Sequence, residues 1–412
     1  MNILYITVGY LPYTFSESLC NGKLVYALQR QGIDIDVISR TYDSSLYSND
    51  WTEPWALLKE HTHEVKYNHG NRLVRFFDTL RASAYFSIYP IDGLRWAYYA
   101  YMEAIRLSKS KHYDIIMTRS PSDIPHLVGY KLKQTLGIPW IANWNDPSAT
   151  IWPKPYSHQF SVIKKWQLNH LTDKYLDSTD VNTFPSQWLL DHFMKSNPNL
   201  KNKNNIVIPH IALDESIELK PSQPMDCGKF RMCHSGNLSA ERNPELTFRA
   251  IRQLIDEGRD KMEFHIMGYV NNYTQKLIDK YNLNAYVKCI GGFPYMDAMW
   301  KMQEYDCLVL LEAILEKGIF FPSKLTDYAQ MNRPILAISP TDGYAVENID
   351  KSGIVVDNKD VNSIKHGIAS LYDAWMDGVL SSKYDSTELY KIYRAQNVVE
   401  RYKQLLSQYC RW

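Results

Sequence analysis

What most constrains this chain is a rhythm. Short, nearly unbroken apolar runs recur along it, and each leads through a turn into an amphipathic stretch long enough for a helix. Asn2-Ile-Leu-Tyr-Ile-Thr7 is the first run. Gly9-Tyr-Leu-Pro12 follows, then an amphipathic stretch from about Ser18 to Gln31, a stop at Gly32, and a second run, Ile33-Asp-Ile-Asp-Val-Ile-Ser39. A strand apolar at nearly every position is covered on both faces, and a crossover of this length joins parallel neighbours. Tyr113-Asp-Ile-Ile-Met-Thr118, Trp140-Ile-Ala-Asn143 and Val181-Asn-Thr-Phe184 repeat the pattern, with helices predicted at 94–109, 123–136 and 161–178. This predicts a doubly wound α/β domain.

The rhythm breaks near residue 200. Lys195-Ser-Asn-Pro-Asn-Leu-Lys-Asn-Lys-Asn-Asn205 is polar and rich in turn formers. Beyond it a second series of strands begins at Phe230-Arg-Met-Cys-His-Ser235. It continues through Met262–Met267, Val287–Ile290, Asp306–Leu311, Pro334–Ile338 and Gly353–Val356. The expectation is an α/β protein of two Rossmann-like domains, 1–205 and 206–385, followed within 386–412 by a lone amphipathic helix that docks back on the first domain. The length of 412 residues also exceeds what one core usually serves. In such sheets ligands bind beyond the carboxyl ends of the strands, so a cleft between the domains is the expected site.

Charge and composition exclude several classes. Lys+Arg number 46 and Asp+Glu 45, a net charge of +1, which lacks the basic excess of a protein whose partner is nucleic acid. No apolar run reaches the eighteen residues a membrane span needs. The six cysteines are scattered with no Cys-x-x-Cys pair, as in a reducing compartment. The N-terminus opens directly as a strand with no signal peptide, and a cytoplasmic location is expected. Arg72, Arg75, Arg81 and the aromatic stretch Tyr85 to Tyr101 form either an ordinary helical surface or a peripheral, lipid-facing edge at the inner face of a membrane. The 30 tyrosines and 11 tryptophans suit sugar stacking as well as core filling.

Two segments carry chemistry. In Met232-Cys-His-Ser-Gly-Asn-Leu-Ser-Ala-Glu-Arg-Asn-Pro-Glu245 a strand turns at Gly236 and a helix begins near Pro244. The helix N-terminus offers unpaired N–H groups, and Arg242 adds a full positive charge, a combination suited to phosphate. In Leu311 to Ile335 a buried strand runs through Gly318 into a helix with Pro322 in its first turn. Backbone N–H groups near Phe321 to Ser323 are placed to cradle a phosphate, Lys324 to neutralise it, and Asp327 to accept ribose hydroxyls; an i,i+3 ion pair is the competing reading.

Together these segments resemble a GT-B glycosyltransferase of the retaining family 4 type, as in bacterial surface-polysaccharide transferases. The resemblance rests on Gly9-Tyr-Leu-Pro12, Val207-Ile-Pro-His210, Ser235-Gly-Asn-Leu-Ser239 with Arg242, Gly268, Gly291-Gly-Phe-Pro294, and Phe321-Pro-Ser-Lys-Leu-Thr-Asp327 before Arg333-Pro334. It is strongest over about 206–360. It implies a nucleoside diphosphate sugar held by Gly9, Gly236, Asn237, Gly268, Phe293, Phe321, Pro322, Ser323 and Asp327, with Arg242 and Lys324 stabilising the leaving diphosphate. The family's Glu-x7-Glu pair is altered: Asp327 takes the second position, the first falls near Ile319, and Glu316 is a substitute only after a loop shift. Asn237 stands at the usual Arg position and Arg242 at the usual Lys.

On the first domain, Arg119-Ser-Pro121 with His126, and Pro139-Trp-Ile-Ala-Asn-Trp-Asn-Asp-Pro147, are similar to acceptor-side segments of those transferases. The resemblance implies a glycan or lipid-linked glycan acceptor met by Tyr10, Arg119 and Asn145, with His126 as the acceptor-side histidine. Asp146, at the carboxyl edge of its strand, is expected to orient or deprotonate the acceptor hydroxyl. Gly9 is expected to permit close backbone approach. No metal and no cofactor beyond the co-substrate are expected, and Asp34-Ile-Asp36, lying inside a predicted strand, reads as structural. His61 and His63 show no partner carboxylate at ligand spacing. The alternatives are a GT-B nucleotide-sugar 2-epimerase or hydrolase, and a non-catalytic sugar-binding module.

Overall fold

A computed structural model describes residues 1–41, 51–66, 71–219 and 224–409. The chain divides into two compact units. One comprises Met1–Trp152, Ser157–Pro209 and Val398–Trp412, the other Pro153–Tyr156 and His210–Asn397.

The first unit is built on seven strands: β1 (Asn2–Thr7), β2 (Asp34–Arg40), β3 (Thr62–Val65), β4 (Ile115–Arg119), β5 (Trp140–Asn143), β6 (Val181–Phe184) and β7 (Asn205–Val207). Their order is β3-β2-β1-β4-β5-β6-β7, with every pair parallel. β4, β5 and β6 are buried along their whole length, as the unbroken apolar runs require of strands covered on both faces.

The second unit holds β8 (Phe230–Ser235), β9 (Met262–Met267), β10 (Val287–Cys289), β11 (Cys307–Leu311), β12 (Ile335–Ser339) and β13 (Gly353–Asp357). The order is β10-β9-β8-β11-β12-β13, again all parallel. Helix Glu245–Asp256 buries Phe248, Ile251, Leu254 and Ile255, spaced at i, i+3, i+6 and i+7 on one face. They join Phe230, Met232, Phe264 and Ile266 of the sheet in one core. Removing a side chain such as Phe248 from such a core costs ~3–5 kcal/mol.

Both sheets are therefore Rossmann-like, and in each the strand order reverses once, between β1 and β4 and between β8 and β11. The carboxyl ends of those strands are where such sheets hold ligands.

Some elements differ from expectation. β7 completes the first sheet by pairing with β6, so the first unit runs past 205 to Pro209. The terminal stretch is two helices, Thr387–Tyr393 and Ala395–Leu406, broken where Arg394 takes extended backbone at ψ 133°. Its last part, from Val398, groups with the first unit, and Val398, Tyr402, Leu405 and Leu406 are buried. β3 stands where no element was predicted, and helix Arg72–Phe86 gives bounds to the helical surface expected around Arg72, Arg75 and Arg81. No helix among the described residues is long and apolar enough to cross a membrane.

Candidate active site

At the carboxyl ends of β8 and β11 the second unit gathers charge. Gly236 follows β8 directly with φ +135°, and the side chain of Lys324 lies against it: a Cβ built at Gly236 would fall 2.3 Å from Lys324 Cε and 2.8 Å from Nζ. Gly268, after β9, packs on the same turn, where a Cβ would meet the Gly236 carbonyl at 2.4 Å. Glycine is thus required at 268 by backbone crowding and at 236 by its positive φ.

Lys324 opens helix Lys324–Met331 behind Ser323. Among the described residues no carboxylate pairs with its ammonium or with the half-buried guanidinium of Arg242. Burial, with Arg242 close enough to repel, pushes Lys324 down to about 8, while Glu312 and Asp327 oppose that shift.

Three neighbours complete the edge. Glu312, the residue after β11, is pushed up to about 7 by burial, against the pull of Arg242, Ser339 and Lys324. His234 on β8 is fully buried and bonds through Nδ1 to the Val309 carbonyl at 2.9 Å. A carbonyl only accepts, so Nδ1 carries the hydrogen and Nε2, buried without a partner, is left as an acceptor. Burial and the charges of Lys324 and Arg242 hold His234 neutral, at about 3. Asp327 accepts from the Tyr295 hydroxyl at 2.9 Å. Two cations stand against the Asp327 carboxylate and a Glu312 that burial keeps partly protonated near neutral pH, which leaves the edge net positive, the field a diphosphate needs.

The remaining donor-side candidates divide. Asn237 is exposed, and its side-chain oxygen accepts from the Tyr269 N–H at 2.8 Å, clamping the loop after β8 to the loop after β9. Phe293 is half-buried with Lys301 over its ring. Pro322 and Ser323 are half-buried just before the helix, so Pro322 precedes its first turn. The Phe321 ring is buried against His210, Tyr344 and Tyr393, at centroid distances of 4.7, 4.4 and 5.2 Å, and belongs to the core, so only the backbone of Phe321 remains as the expected phosphate contact. Glu316 is exposed.

The carboxyl edge of the first unit is a buried polar cluster. Arg119, ending β4, is 4% exposed and donates to Glu17 at 2.9 Å. Asn145 donates to the same carboxylate at 2.6 Å. Asn21 ties the Tyr5 hydroxyl to the Gly9 carbonyl. Burial lifts Glu17 to about 7 against the pull of Arg119, and the charge of Asp146 lifts it further. Tyr402 of the terminal helix is buried within electrostatic reach of Arg119.

Four acceptor-side candidates, Tyr10, Arg119, Asn145 and His126, are therefore interior groups, buried in this conformation, whereas Asp146 is half-buried. His126 is the clearest correction. It is fully buried beside Trp144, with ring centroids 4.1 Å apart, it bonds Thr118 at 2.7 Å, and burial pushes it down to about 3. A base so weak and so enclosed holds no proton to exchange at neutral pH. Gly9 also differs, since a Cβ there would meet the Phe15 ring at 2.9 Å and no backbone closer than that.

Asp34 and Asp36, with His61, form a group able to hold a cation. The Lys111 ammonium already sits 2.7 Å from both carboxylates, and Tyr113 donates to Asp36 at 2.6 Å. His61 and His63 do meet carboxylates, Asp34, Asp36 and Glu103, because the pairing of β2 with β3 brings them across; sequence spacing carries no trace of that. Glu17, His234 and Glu312 were not anticipated either. The only sequence signal for Glu312 is a carboxylate immediately after a fully apolar strand.

Residues 216–380 match the family model described as Glycosyl transferases group 1. Comparison with curated proteins gives no match. Among solved structures, the chain is similar to sucrose-phosphate synthase from Thermosynechococcus elongatus, with 14% identity, TM-score 0.68, and 99% of this chain and 98% of that one covered. It is similar also to Anabaena HepE in complex with UDP-glucose, with 13% identity, TM-score 0.69 and coverage of 99% and 100%. A third is a glycosyltransferase from Rickettsia africae, with 13% identity, TM-score 0.63 and coverage of 99% and 98%. At such identities the likeness is one of fold, the two-domain GT-B type. The family match is confined to 216–380, within the second unit.

Proposed function

We propose that the chain is a retaining glycosyltransferase of the family 4 type, moving a sugar from a nucleoside diphosphate sugar to a polysaccharide or lipid-linked oligosaccharide. The observation that carries this reading is the convergence of Arg242 and Lys324, two cations without carboxylate partners among the described residues, on the Gly236 turn at the switch point of the second sheet. Keeping two like charges together is unfavourable in the free protein and favourable once an anion sits between them. The family match over 216–380 supports the reading, as do neighbours whose structures hold UDP and UDP-glucose.

In this reading the bond from the anomeric carbon to the diphosphate breaks as the acceptor oxygen bonds that carbon on the same face. The electron pair leaves on the diphosphate, where Arg242, Lys324 and nearby backbone N–H groups receive it; one such donor is worth ~3 kcal/mol in the transition state. Asp327 takes ribose hydroxyls, and Asp146 orients or deprotonates the acceptor hydroxyl. Protein side chains supply the counter-charge, so no metal is called for.

Thermal-shift screening against nucleoside diphosphates and their sugars tests the proposal, with a chelator arm for the metal. A selective shift that survives the chelator is expected, and Arg242→Ala should abolish it while leaving the melting temperature of the free protein near wild type. No shift with any nucleotide would overturn the donor site and favour a sugar-binding module.

A further inference from the structure

Helix Arg72–Phe86 is amphipathic in the inverse sense. At about 100° per residue, Asp78, Thr79, Ala82 and Phe86 share one side, and Leu73, Phe76, Phe77, Leu80 and Ala84 the opposite one. The first side faces the protein. Ala82 is buried there, and Asp78 accepts from the Tyr99 hydroxyl and from Arg81. The second side, an i, i+3, i+4, i+7 stripe of the kind that normally seeks a core, points outward: Leu73 is 68% exposed, Phe76 56%, Phe77 65% and Leu80 47%.

A second apolar knob stands beside it at the start of helix Val162–Ser178, where Val162, Ile163 and Trp166 are 85%, 67% and 64% exposed. The Gln167 side chain joins the two by bonding the backbone of Tyr89 in both directions, at 2.8 and 3.1 Å. A recess of about 480 Å³ lined by Ser83, Tyr89, Trp166, His170 and Lys174 runs between them. Single exposed apolar side chains are ordinary, but a contiguous patch of them marks an interaction surface.

The charges around the patch identify the occupant. Arg72 flanks the stripe and Lys165 lies by the knob, neither within 4 Å of a carboxylate among the described residues, whereas Arg75 stands on the other side of the helix. The nearby acids are engaged: Asp78 is turned inward with Arg81, and Asp92 pairs with Lys164 at 3.5 Å. An apolar face with free cations at its margin matches an anionic bilayer leaflet, apolar below its headgroups and negative at its surface. Against a second copy of the same face those cations would be opposed by like charge. Trp166 and the exposed Tyr89 are side chains suited to headgroup depth.

We propose that this face is a monotopic membrane-binding surface for anionic lipid, with Phe76, Phe77, Val162, Ile163 and Trp166 entering the leaflet and Arg72 and Lys165 meeting its headgroups. The proposal stands apart from the sugar-transfer reading. Flotation of the full chain with vesicles of phosphatidylcholine alone, and of phosphatidylcholine mixed with phosphatidylglycerol, tests it. Wild type is expected to float with the mixed vesicles. Phe76→Ser with Phe77→Ser should weaken binding by roughly tenfold or more, from the apolar area withdrawn. Arg72→Glu with Lys165→Glu should weaken it by at least about fivefold per cation, from ~1 kcal/mol per basic residue at an anionic surface. All four positions are exposed, and an unchanged thermal midpoint confirms folding. Failure to float with anionic vesicles overturns the proposal, as does binding that neither pair of substitutions reduces. So does a wild-type dimer that the serine pair converts to monomer, since the face would then join two copies of the chain.

Discussion

Replacing Lys324 by methionine should make the protein more stable and a worse ligand for diphosphate at once. Its ammonium is half-buried against Gly236 and repelled by Arg242, which together hold it at about 8 against 10.5 for an ordinary lysine. At about 1.4 kcal/mol per pH unit this corresponds to a folded-state cost of ~3 kcal/mol at neutral pH. The folded pKa lies below the unfolded one, so the folded chain is the poorer proton binder. The cost is therefore fully present below about pH 8 and fades toward 10.5, where the unfolded chain gives up its proton too. Methionine keeps the length and drops the charge. Lys324→Met should thus exceed wild type by ~2–3 kcal/mol near pH 7. At ~2–4 °C per kcal/mol for a unit of this size, the melting temperature should rise by several degrees. The gap should narrow steadily above pH 8. The same variant should bind UDP about tenfold to a hundredfold more weakly, the worth of a charge-assisted hydrogen bond of ~1.5–3 kcal/mol. Urea denaturation across a pH series reads the first effect and calorimetric titration the second. A variant less stable than wild type near pH 7, or a gap indifferent to pH, would refute the assignment of an unpaired buried ammonium; unchanged UDP affinity would refute its role in binding.

Three further outcomes follow from the geometry. Gly268→Ala puts a methyl 2.4 Å from the Gly236 carbonyl, which is backbone and cannot swing aside, so a loss of ~1–3 kcal/mol and of UDP-induced stabilisation is expected; a variant retaining both contradicts the close approach. Arg119→Met leaves the buried Glu17 carboxylate without its cation, held only by amides such as that of Asn145, which should cost ~3–5 kcal/mol by urea denaturation, with part recovered when Glu17→Gln is added; simple additivity of the two changes would dissolve the pair. Burial holds His126 near 3, below the usual 6.5, so its contribution to stability is whole above that usual value and is lost as pH falls through it toward 3. His126→Phe should flatten that acid limb and leave acceptor kinetics unchanged, whereas a fall in turnover at constant stability would return the histidine to the chemistry.

Much of the site was legible because it is local. Gly236, Arg242, Lys324 and Asp327 lie in two short segments that each leave a strand and enter a helix, and strand-to-helix turns carry their signature in turn residues and first-turn charges. The structure adds that Lys324 touches Gly236, across a separation the sequence cannot measure. His126 was not legible in the same way, because proximity to a motif says nothing about which way a ring points; it turns into the core.

The sequence alone determined the two parallel sheets, since apolar runs joined by helix-length crossovers leave no other arrangement, and it marked the break near 200. Tertiary structure decided everything that depends on one sheet edge meeting another segment. It paired Glu17 with Arg119, 102 positions away, and so turned a would-be acceptor contact into an interior ion pair. It buried Lys324 and Glu312 within electrostatic reach of one another and of Arg242, and burial first, then those charges, sets their proton equilibria. It also left the apolar stripe of helix Arg72–Phe86 facing outward, where periodicity by itself would have pointed it at a core. Periodicity records that a face must be buried, and only the packed chain says against what.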